Sequence, residues 1–183
     1  MSDLPENLPT PNQATTRCVY PMVRSGGLFL VFISLGLISA IFFSGDALVN
    51  YTIFFVGIAV ATISLFAAKR LSFGSPTRFQ IVALVSAIGI EIMLFRVMGR
   101  TLPPGTDEHI RWLWVSIIVG AHFFPMALCF GPRMLLLGGA CIANSVAGLL
   151  LVNMPYEIFG LLDGILKLGF GMWLLSTKPQ RAA

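Results

Sequence analysis

The stretch YEIFGLLDGILKLGFGMWLLS, residues 156–176, decides the fold of this chain because it combines a membrane-spanning length with internal charge. A helix needs about 20 predominantly apolar residues to cross the hydrocarbon core of a bilayer. This stretch has that length, yet it contains Asp163 and Lys167 one helical turn apart, among four glycines. We therefore predict a transmembrane helix in which one face is polar.

The polar residues of this stretch fall on one side of the predicted helix. At helical spacing, Gly160, Asp163, Gly164, Lys167 and Gly171 share a single stripe, while leucine, isoleucine and phenylalanine fill most other positions. Glycines on one face let a neighbouring helix approach closely, so this face is predicted to pack inside a bundle. The acid precedes the base by four residues, the favourable order for a pair. The pair is either a structural bridge or a switchable pair in a solute or proton path.

Composition excludes a soluble domain. Apolar residues make up 56% of the chain, charged residues 11%, and the mean hydropathy is +0.86. Soluble domains carry roughly 25% charged residues, so most of this surface must face lipid. The net charge of +4 comes from scattered basic residues without a patch that would bind nucleic acid. The three cysteines have no spacing typical of a metal site or disulfide framework, and we expect no metal and no cofactor.

Six hydrophobic runs are long enough to span a bilayer. The predicted fold is therefore an all-α integral membrane protein, a bundle of six transmembrane helices that occupies residues 22–176. A polar, proline-rich tail, residues 1–21, is predicted to be disordered, and residues 177–183 form a short C-terminal tail. Several connections are only a few residues long, so consecutive helices are expected to be antiparallel neighbours. The spans lie at about 26–44, 47–68, 79–98, 112–130, 134–152 and 156–176.

Basic residues predict the orientation of the six spans. Positively charged loops remain in the cytoplasm. With six crossings, eight basic residues fall on the side of both termini, and only Arg100 and Arg111 fall in the loops of the other side. Both termini are therefore predicted to be cytoplasmic. The eight are Arg17, Arg24, Lys69, Arg70, Arg78, Arg133, Lys178 and Arg181.

Two further ionisable residues lie inside predicted spans. Glu91 is in the third, and Arg96, five positions on, lies about 140° around the helix, too far to pair with it. Glu91 must find a partner across the bundle, take up a proton or face water. His122 is in the fourth span, and histidine can exchange a proton near neutral pH. Pro125 is expected to kink that helix because it cannot donate a hydrogen bond to the carbonyl of Ala121.

These ionisable residues are predicted to lie at similar depths in the membrane. At 1.5 Å per residue, Glu91, His122, Asp163 and Lys167 lie roughly 10–17 Å below the outer ends of their helices. If their faces converge, they form one polar centre of two acids, a lysine and a histidine. For each of them a structural role, a hydrogen bond or packing contact, is the alternative. Asn144 in the fifth span is expected to bind a neighbouring helix, because a polar side chain in lipid seeks a partner.

Three functions fit this arrangement. Intramembrane ionisable groups favour a small-solute or proton-coupled transporter, in which Glu91 or His122 carries the proton and Asp163 and Lys167 bind solute. A structural or accessory subunit that packs with a second copy or another membrane protein is the alternative. A membrane-embedded enzyme is disfavoured, since the chain has no G-x-S-x-G or H-E-x-x-H motif. The lipid bilayer is the one partner that all three require.

The stretch GAHFFPMALCF, residues 120–130, carries a resemblance. Its Gly-x-His-Phe-x-Pro pattern resembles a segment of small, uncharacterised bacterial multispan membrane proteins. The resemblance covers one helix. It implies a multi-pass protein of a bacterial plasma membrane, in which His122 and Pro125 are motif positions, and it implies no substrate or catalytic residue.

Overall fold

The computed structural model describes residues 19–42, part of the segment from 49 to 63, and residues 74–151 and 153–178, and these residues form helices and their connections. Within these ranges, five helices are long and apolar enough to cross a membrane. The second predicted span, and the first eighteen residues of the predicted tail with Cys18, lie largely or wholly outside this part of the chain. The helices are α1, Val23–Phe42; α2, with helical positions 49, 52–53, 55–57, 59–60 and 63; α3, Arg78–Thr101; α4, Glu108–Phe130; α5, Arg133–Leu150; and α6, Tyr156–Leu175.

Some helices extend beyond the hydrophobic runs that predict them. Helix α4 begins at Glu108 rather than near Trp112, and α3 continues past Met98 to Thr101. Hydropathy marks the part of a helix suited to the bilayer core, whereas helical hydrogen bonding continues into polar residues at its ends. Residues 19–21, the end of the predicted disordered tail, contact the bundle, and Pro21 is fully buried.

The five fully described helices pack as antiparallel neighbours. The most extensive contact joins α1 to α6, followed by α4 with α5, α3 with α4, and α5 with α6. We call the end of the bundle that holds Val23 and Leu175 the proximal face, and the end that holds Phe42 and Tyr156 the distal face. Among these five helices, α3 contacts only α4, and its only buried residues are Gln80 and Ala87.

Glycine lets α1 and α6 touch along their backbones. A Cβ atom placed on Gly27 would lie 2.7 Å from the carbonyl oxygen of Gly171, and one on Gly171 would lie 2.9 Å from that of Gly27. Further along α6, Gly164 faces Ile38 and Gly160 faces Ile41. The glycines of the polar stripe therefore lie against α1, which closes the bundle between its first and last helices.

A tight turn connects α4 to α5. Gly131 ends α4 with a φ of 100°, a left-handed conformation that costs glycine little because it has no Cβ, and Pro132 follows. Proline has no N–H, so it cannot donate to the carbonyl of Leu128 four residues earlier. The side-chain amide of Gln80 in α3 donates to that carbonyl instead, at 2.8 Å, and also to the carbonyl of Val19 at 3.0 Å.

Gln80 also stabilises the start of its own helix. Its Oε1 accepts a hydrogen bond from the backbone N–H of Thr77 at 2.9 Å, while the Thr77 hydroxyl accepts one from the N–H of Gln80 at 3.2 Å. This reciprocal arrangement is a capping box, which satisfies N–H groups that a helix start leaves free. One side chain thus joins α3, α4 and the segment that leads into α1.

Replacing Gln80 by alanine is expected to lower the free energy of unfolding by about 1–3 kcal/mol, because carbonyls of Leu128 and Val19 lose their donor. The change can be measured by titration with sodium dodecyl sulfate, followed by far-ultraviolet circular dichroism. Thr101→Ala is the control, since the Thr101 hydroxyl is exposed and donates only within its own helix. Equal stability of the two variants would contradict the bridging role of Gln80.

Candidate functional site

Asp163 and Lys167 form a buried ion pair within α6. The Lys167 ammonium contacts Oδ2 of Asp163, and each residue is only 2% exposed. Two other helices contribute neighbours. The ring centroid of Phe123 in α4 lies 6.0 Å from the Lys167 nitrogen, and the Cys141 thiol of α5 interacts with both charges and weakly hydrogen-bonds the Asp163 carboxylate. Both charges are thus placed inside the bundle, where only their mutual attraction and a few polar neighbours replace hydration.

One oxygen of this pair is unsatisfied. Oδ1 of Asp163 is buried and accepts no N–H or O–H hydrogen bond from the described residues, although the Cys141 thiol lies near the carboxylate. Leaving a buried acceptor unpaired costs roughly 1–3 kcal/mol, and more for a charged group. We therefore expect this oxygen either to take part in the function of the protein or to bind a ligand that donates a hydrogen bond.

A cavity of about 60 Å³ adjoins Asp163 and extends toward the distal face at Tyr156. Its walls come from α1, α4, α5 and α6. Serine hydroxyls and aromatic rings line it together with aliphatic side chains, and Asp163 is its acidic residue. The lining residues are Leu37, Ala40, Ile41, Trp112, Leu113, Ser116, Ser145, Tyr156, Phe159, Gly160 and Asp163. A water-sized or slightly larger molecule can therefore reach the carboxylate.

Glu91 and His122 form a second pair, between α3 and α4. Oε2 of Glu91 lies 2.5 Å from Nδ1 of His122, and their side chains are 17% and 13% exposed. The other ring nitrogen, Nε2, is buried without a hydrogen-bond partner in the described part of the chain. With Nδ1 in contact with Glu91, Nε2 is the ring nitrogen that these residues leave without a partner. Glu91 thus has the partner across the bundle that it lacks within its own helix.

A crevice of about 140 Å³ accompanies this second pair. It lies between α3 and α4 and is bordered mainly by aliphatic side chains, with Pro125 at one side. Helix α4 continues through Pro125 to Phe130. The crevice residues are Ala87, Ile90, Glu91, Leu94, Ile118, Ala121, His122 and Pro125.

The four predicted ionisable residues therefore occur as two pairs. No ion pair of 4.0 Å or shorter joins one pair to the other within the described residues. Consecutive residues of a helix point about 100° apart, and α4 presents His122 to Glu91 of α3 while Phe123 faces Lys167 of α6. Helix α4 thus lies between the two pairs and contacts both.

The predicted packing residues contact neighbouring helices. The Asn144 amide of α5 donates to the carbonyl of Phe159 in α6 at 2.8 Å. This bond holds α5 against the part of α6 that lines the cavity. As described above, Gly160, Gly164 and Gly171 lie against α1.

Basic side chains surround the proximal end of α6. Nε of Arg24 donates to the carbonyl of Thr177 at 3.1 Å, and Arg133 donates to the Thr177 hydroxyl. The Arg133 guanidinium also lies 4.2 Å from the centroid of the Trp173 ring, a cation–π contact. These contacts fix the proximal ends of α1, α5 and α6 together. In the ranges that the structure describes, no three histidine, cysteine, aspartate or glutamate side chains are placed to hold a metal ion.

Sequence analysis missed several residues that shape these sites. Ser116, Ser145 and Tyr156 line the cavity, and Gln80 joins three segments. The pattern T-x-x-Q at residues 77–80 is a signal for a capping box, and it could have identified Gln80. The serines carry no such signal, because a hydroxyl in a membrane helix usually bonds its own backbone, as Ser145 does to Cys141 at 2.9 Å.

Helices of this length and hydropathy, with ionisable groups turned inward, define a multispan α-helical membrane protein. The chain belongs to the family described as a family of unknown function (DUF6609), which matches residues 13–183. No curated protein and no solved structure matches it.

Proposed function

We propose that this protein is a transporter that couples the movement of a small solute to protons. The observation that carries the proposal is Oδ1 of Asp163, a buried acceptor that receives no N–H or O–H hydrogen bond from the described part of the chain and lies on a cavity that reaches toward the distal face. Ionisable residues at membrane depth are expensive to bury and mark substrate and proton paths. In this proposal the Asp163–Lys167 pair binds the solute.

The Glu91–His122 pair is proposed to carry the proton. A carboxylate 2.5 Å from an imidazole can pass a proton within one contact, and the free Nε2 offers a second position for it. Helix α4 contacts both pairs, so a shift of α4 at one pair also changes its contacts at the other.

The proposed setting is a bacterial plasma membrane with both termini in the cytoplasm. Arg24, Arg133 and Lys178 lie at the proximal face, where basic residues are expected on the cytoplasmic side. The distal cavity then opens to the outside. The resemblance around His122 supports the bacterial setting.

A flux measurement tests the proposal. Purified protein is reconstituted in liposomes that contain a pH-sensitive dye, and a proton gradient is applied with one of three solutes: acetate, glycine or methylammonium. We expect at least one solute to change the dye signal in the original protein, and Glu91→Gln to reduce that rate at least tenfold. Absence of flux with all three, or an unchanged rate in Glu91→Gln, contradicts the proposal.

Arg96→Gln serves as the matched control for this variant. Arg96 is exposed, lies in the same helix five residues from Glu91, and its replacement also removes one charge. The control is expected to retain the flux of the original protein, which separates the role of the Glu91–His122 contact from a general effect of charge in α3.

An accessory subunit is the second candidate function. It is supported by α3, which buries only Gln80 and Ala87 against the described residues and otherwise presents isoleucine, valine and methionine side chains. A membrane partner or a second copy could use this face. A protein that elutes as a monomer from mild detergent and alone moves solute would exclude this role.

A further inference from the structure

We propose that the distal cavity binds a short monoalkylammonium ion at Asp163, and that Lys167 releases one proton when the ion binds. The inference rests on the proposed function, because it names the class of solute for the same site. It begins from Oδ1 of Asp163, the buried oxygen that accepts no N–H or O–H hydrogen bond from the residues that the structure describes.

The missing partner of Oδ1 is a hydrogen-bond donor. A carboxylate oxygen only accepts hydrogen bonds, and its strongest donors are cationic N–H groups. An anion is unsuitable, because it would meet the carboxylate directly, whereas the Lys167 ammonium is already engaged with Oδ2. Charge therefore selects a cation for this position.

The walls of the cavity fit the rest of such a molecule. Trp112, Tyr156 and Phe159 line it, and aromatic faces attract ammonium groups through their quadrupoles. One face of the Tyr156 ring is stacked on His109, with the centroids 4.0 Å apart. Leu37, Ile41 and Leu113 complete an apolar surface that suits an alkyl group. The combination of one carboxylate oxygen, aromatic rings and aliphatic side chains is the chemistry that recognises an alkylammonium ion.

The volume limits its size. A cavity needs about 10–15 Å³ to hold one water molecule. The 60 Å³ next to Asp163 therefore holds a molecule of a few heavy atoms, such as methylammonium or ethylammonium. An ion this small is expected to bind with a dissociation constant on the order of millimolar, because a ligand of two or three heavy atoms makes few contacts.

Charge balance provides the link to protons. Asp163 and Lys167 neutralise one another at 2% exposure, so an added cation would leave an uncompensated charge inside the bundle. The titratable groups around the pair are the thiol of Cys141 and, on the cavity wall, the phenol of Tyr156, both ordinarily neutral near pH 7. At the distal end of the cavity Tyr156 stacks on His109 and interacts with the carboxylates of Glu108 and Glu157, none of which lines the cavity at Asp163. From α4, His122 contacts Glu91, and the cavity residues of α1 are aliphatic.

Lys167 is consequently the group that restores neutrality. The alkylammonium ion replaces Lys167 as the cationic partner of the Asp163 carboxylate. The Lys167 ammonium loses one proton to water and becomes a neutral amine. One cation enters and one proton leaves, with no bond to carbon made or broken. The exchange is electroneutral, so it should depend on pH but not on membrane potential.

The test is a titration of the purified full-length protein in mild detergent and weak buffer, with a pH indicator. Methylammonium chloride is the probe, and sodium acetate and glycine are the control solutes. We expect one proton released per methylammonium bound, half-saturation at about millimolar concentration, and no release with either control. Binding without proton release, or no binding of methylammonium, overturns the inference.

Three variants locate the effect. Asp163→Asn removes the acceptor charge and Ser116→Leu fills the cavity from α4, and both are expected to abolish release, whereas Asp107→Asn, an identical change at the start of α4, retains it. If Asp163→Asn does not elute as a folded protein, the inference is tested by two other results. These are the loss of proton release in Ser116→Leu and the number of protons that the original protein releases per methylammonium bound. Release that persists in a folded Asp163→Asn or Ser116→Leu variant overturns the inference.

The outcome is separable from that of the transport proposal. Flux of acetate or glycine without methylammonium binding would sustain transport and refute the alkylammonium assignment. Methylammonium binding with proton release in a protein that shows no flux would sustain the alkylammonium assignment and refute transport.

Discussion

Replacing Lys167 by methionine is expected to lower the free energy of unfolding by about 3–5 kcal/mol, the largest effect of any single change considered. Methionine has a similar length and fills the same space, so the change removes the charge rather than the packing. The Asp163 carboxylate is then left among apolar side chains at 2% exposure, without its counter-ion. Unfolding by dodecyl sulfate, followed by circular dichroism, measures the loss.

The double variant Asp163→Asn with Lys167→Met is expected to recover more than half of that loss. Removing both charges eliminates the unpaired ion, and buried ion pairs replaced by neutral groups often cost little. A double-mutant cycle then gives the coupling free energy of the pair. Lys178→Met is the control, because Lys178 is exposed, and it should change stability by less than about 0.5 kcal/mol. A Lys167→Met variant as stable as this control would show that the pair is not buried as described.

Adding one methyl group at Gly171 is expected to push apart two helices that touch along their backbones. The Cβ atom of Gly171→Ala would lie 2.9 Å from the carbonyl oxygen of Gly27 and 3.0 Å from the backbone nitrogen of Val31. Backbone atoms cannot rotate away, so α1 and α6 must separate. We expect a loss of about 1–3 kcal/mol in the free energy of unfolding, the usual range for overpacking.

Gly169→Ala is the matched control for this change. Gly169 lies two residues away in the same helix, and no atom lies within 4 Å of a Cβ built there. Alanine has the higher helix propensity by about 0.8–1.0 kcal/mol, so this variant should be as stable as the original protein or more stable. If both alanine variants behave alike under the same dodecyl sulfate titration, the close contact between α1 and α6 is wrong.

Features that depend on one helix could be predicted from the sequence. Hydropathy located the spans that became α1, α3, α4, α5 and α6, because lipid requires long apolar helices. The spacing of Asp163 and Lys167 predicted their contact, since positions four apart meet on any α-helix whatever surrounds it. The same periodicity placed Gly160, Gly164 and Gly171 on one face.

Features that depend on how two helices are rotated could not be predicted. Glu91 and His122 are 2.5 Å apart because α3 and α4 turn particular faces toward each other, and a single sequence does not specify that rotation. Depth placed all four ionisable groups in one layer but did not reveal that α4 lies between two pairs. The cavity next to Asp163 draws its walls from four helices, so no local pattern indicates it.

The contact between Gly27 and Gly171 has a consequence for biogenesis. Helix α1 is synthesised before α6, so the surface on α1 that receives α6 has to wait for α6 while the helices between them are made. Helix α6 can enter the bilayer with its charges already matched within one turn, which eases its insertion. A nascent chain that stalls before α6 would leave the α1 surface at Gly27, Val31, Ile38 and Ile41 without the helix that covers it.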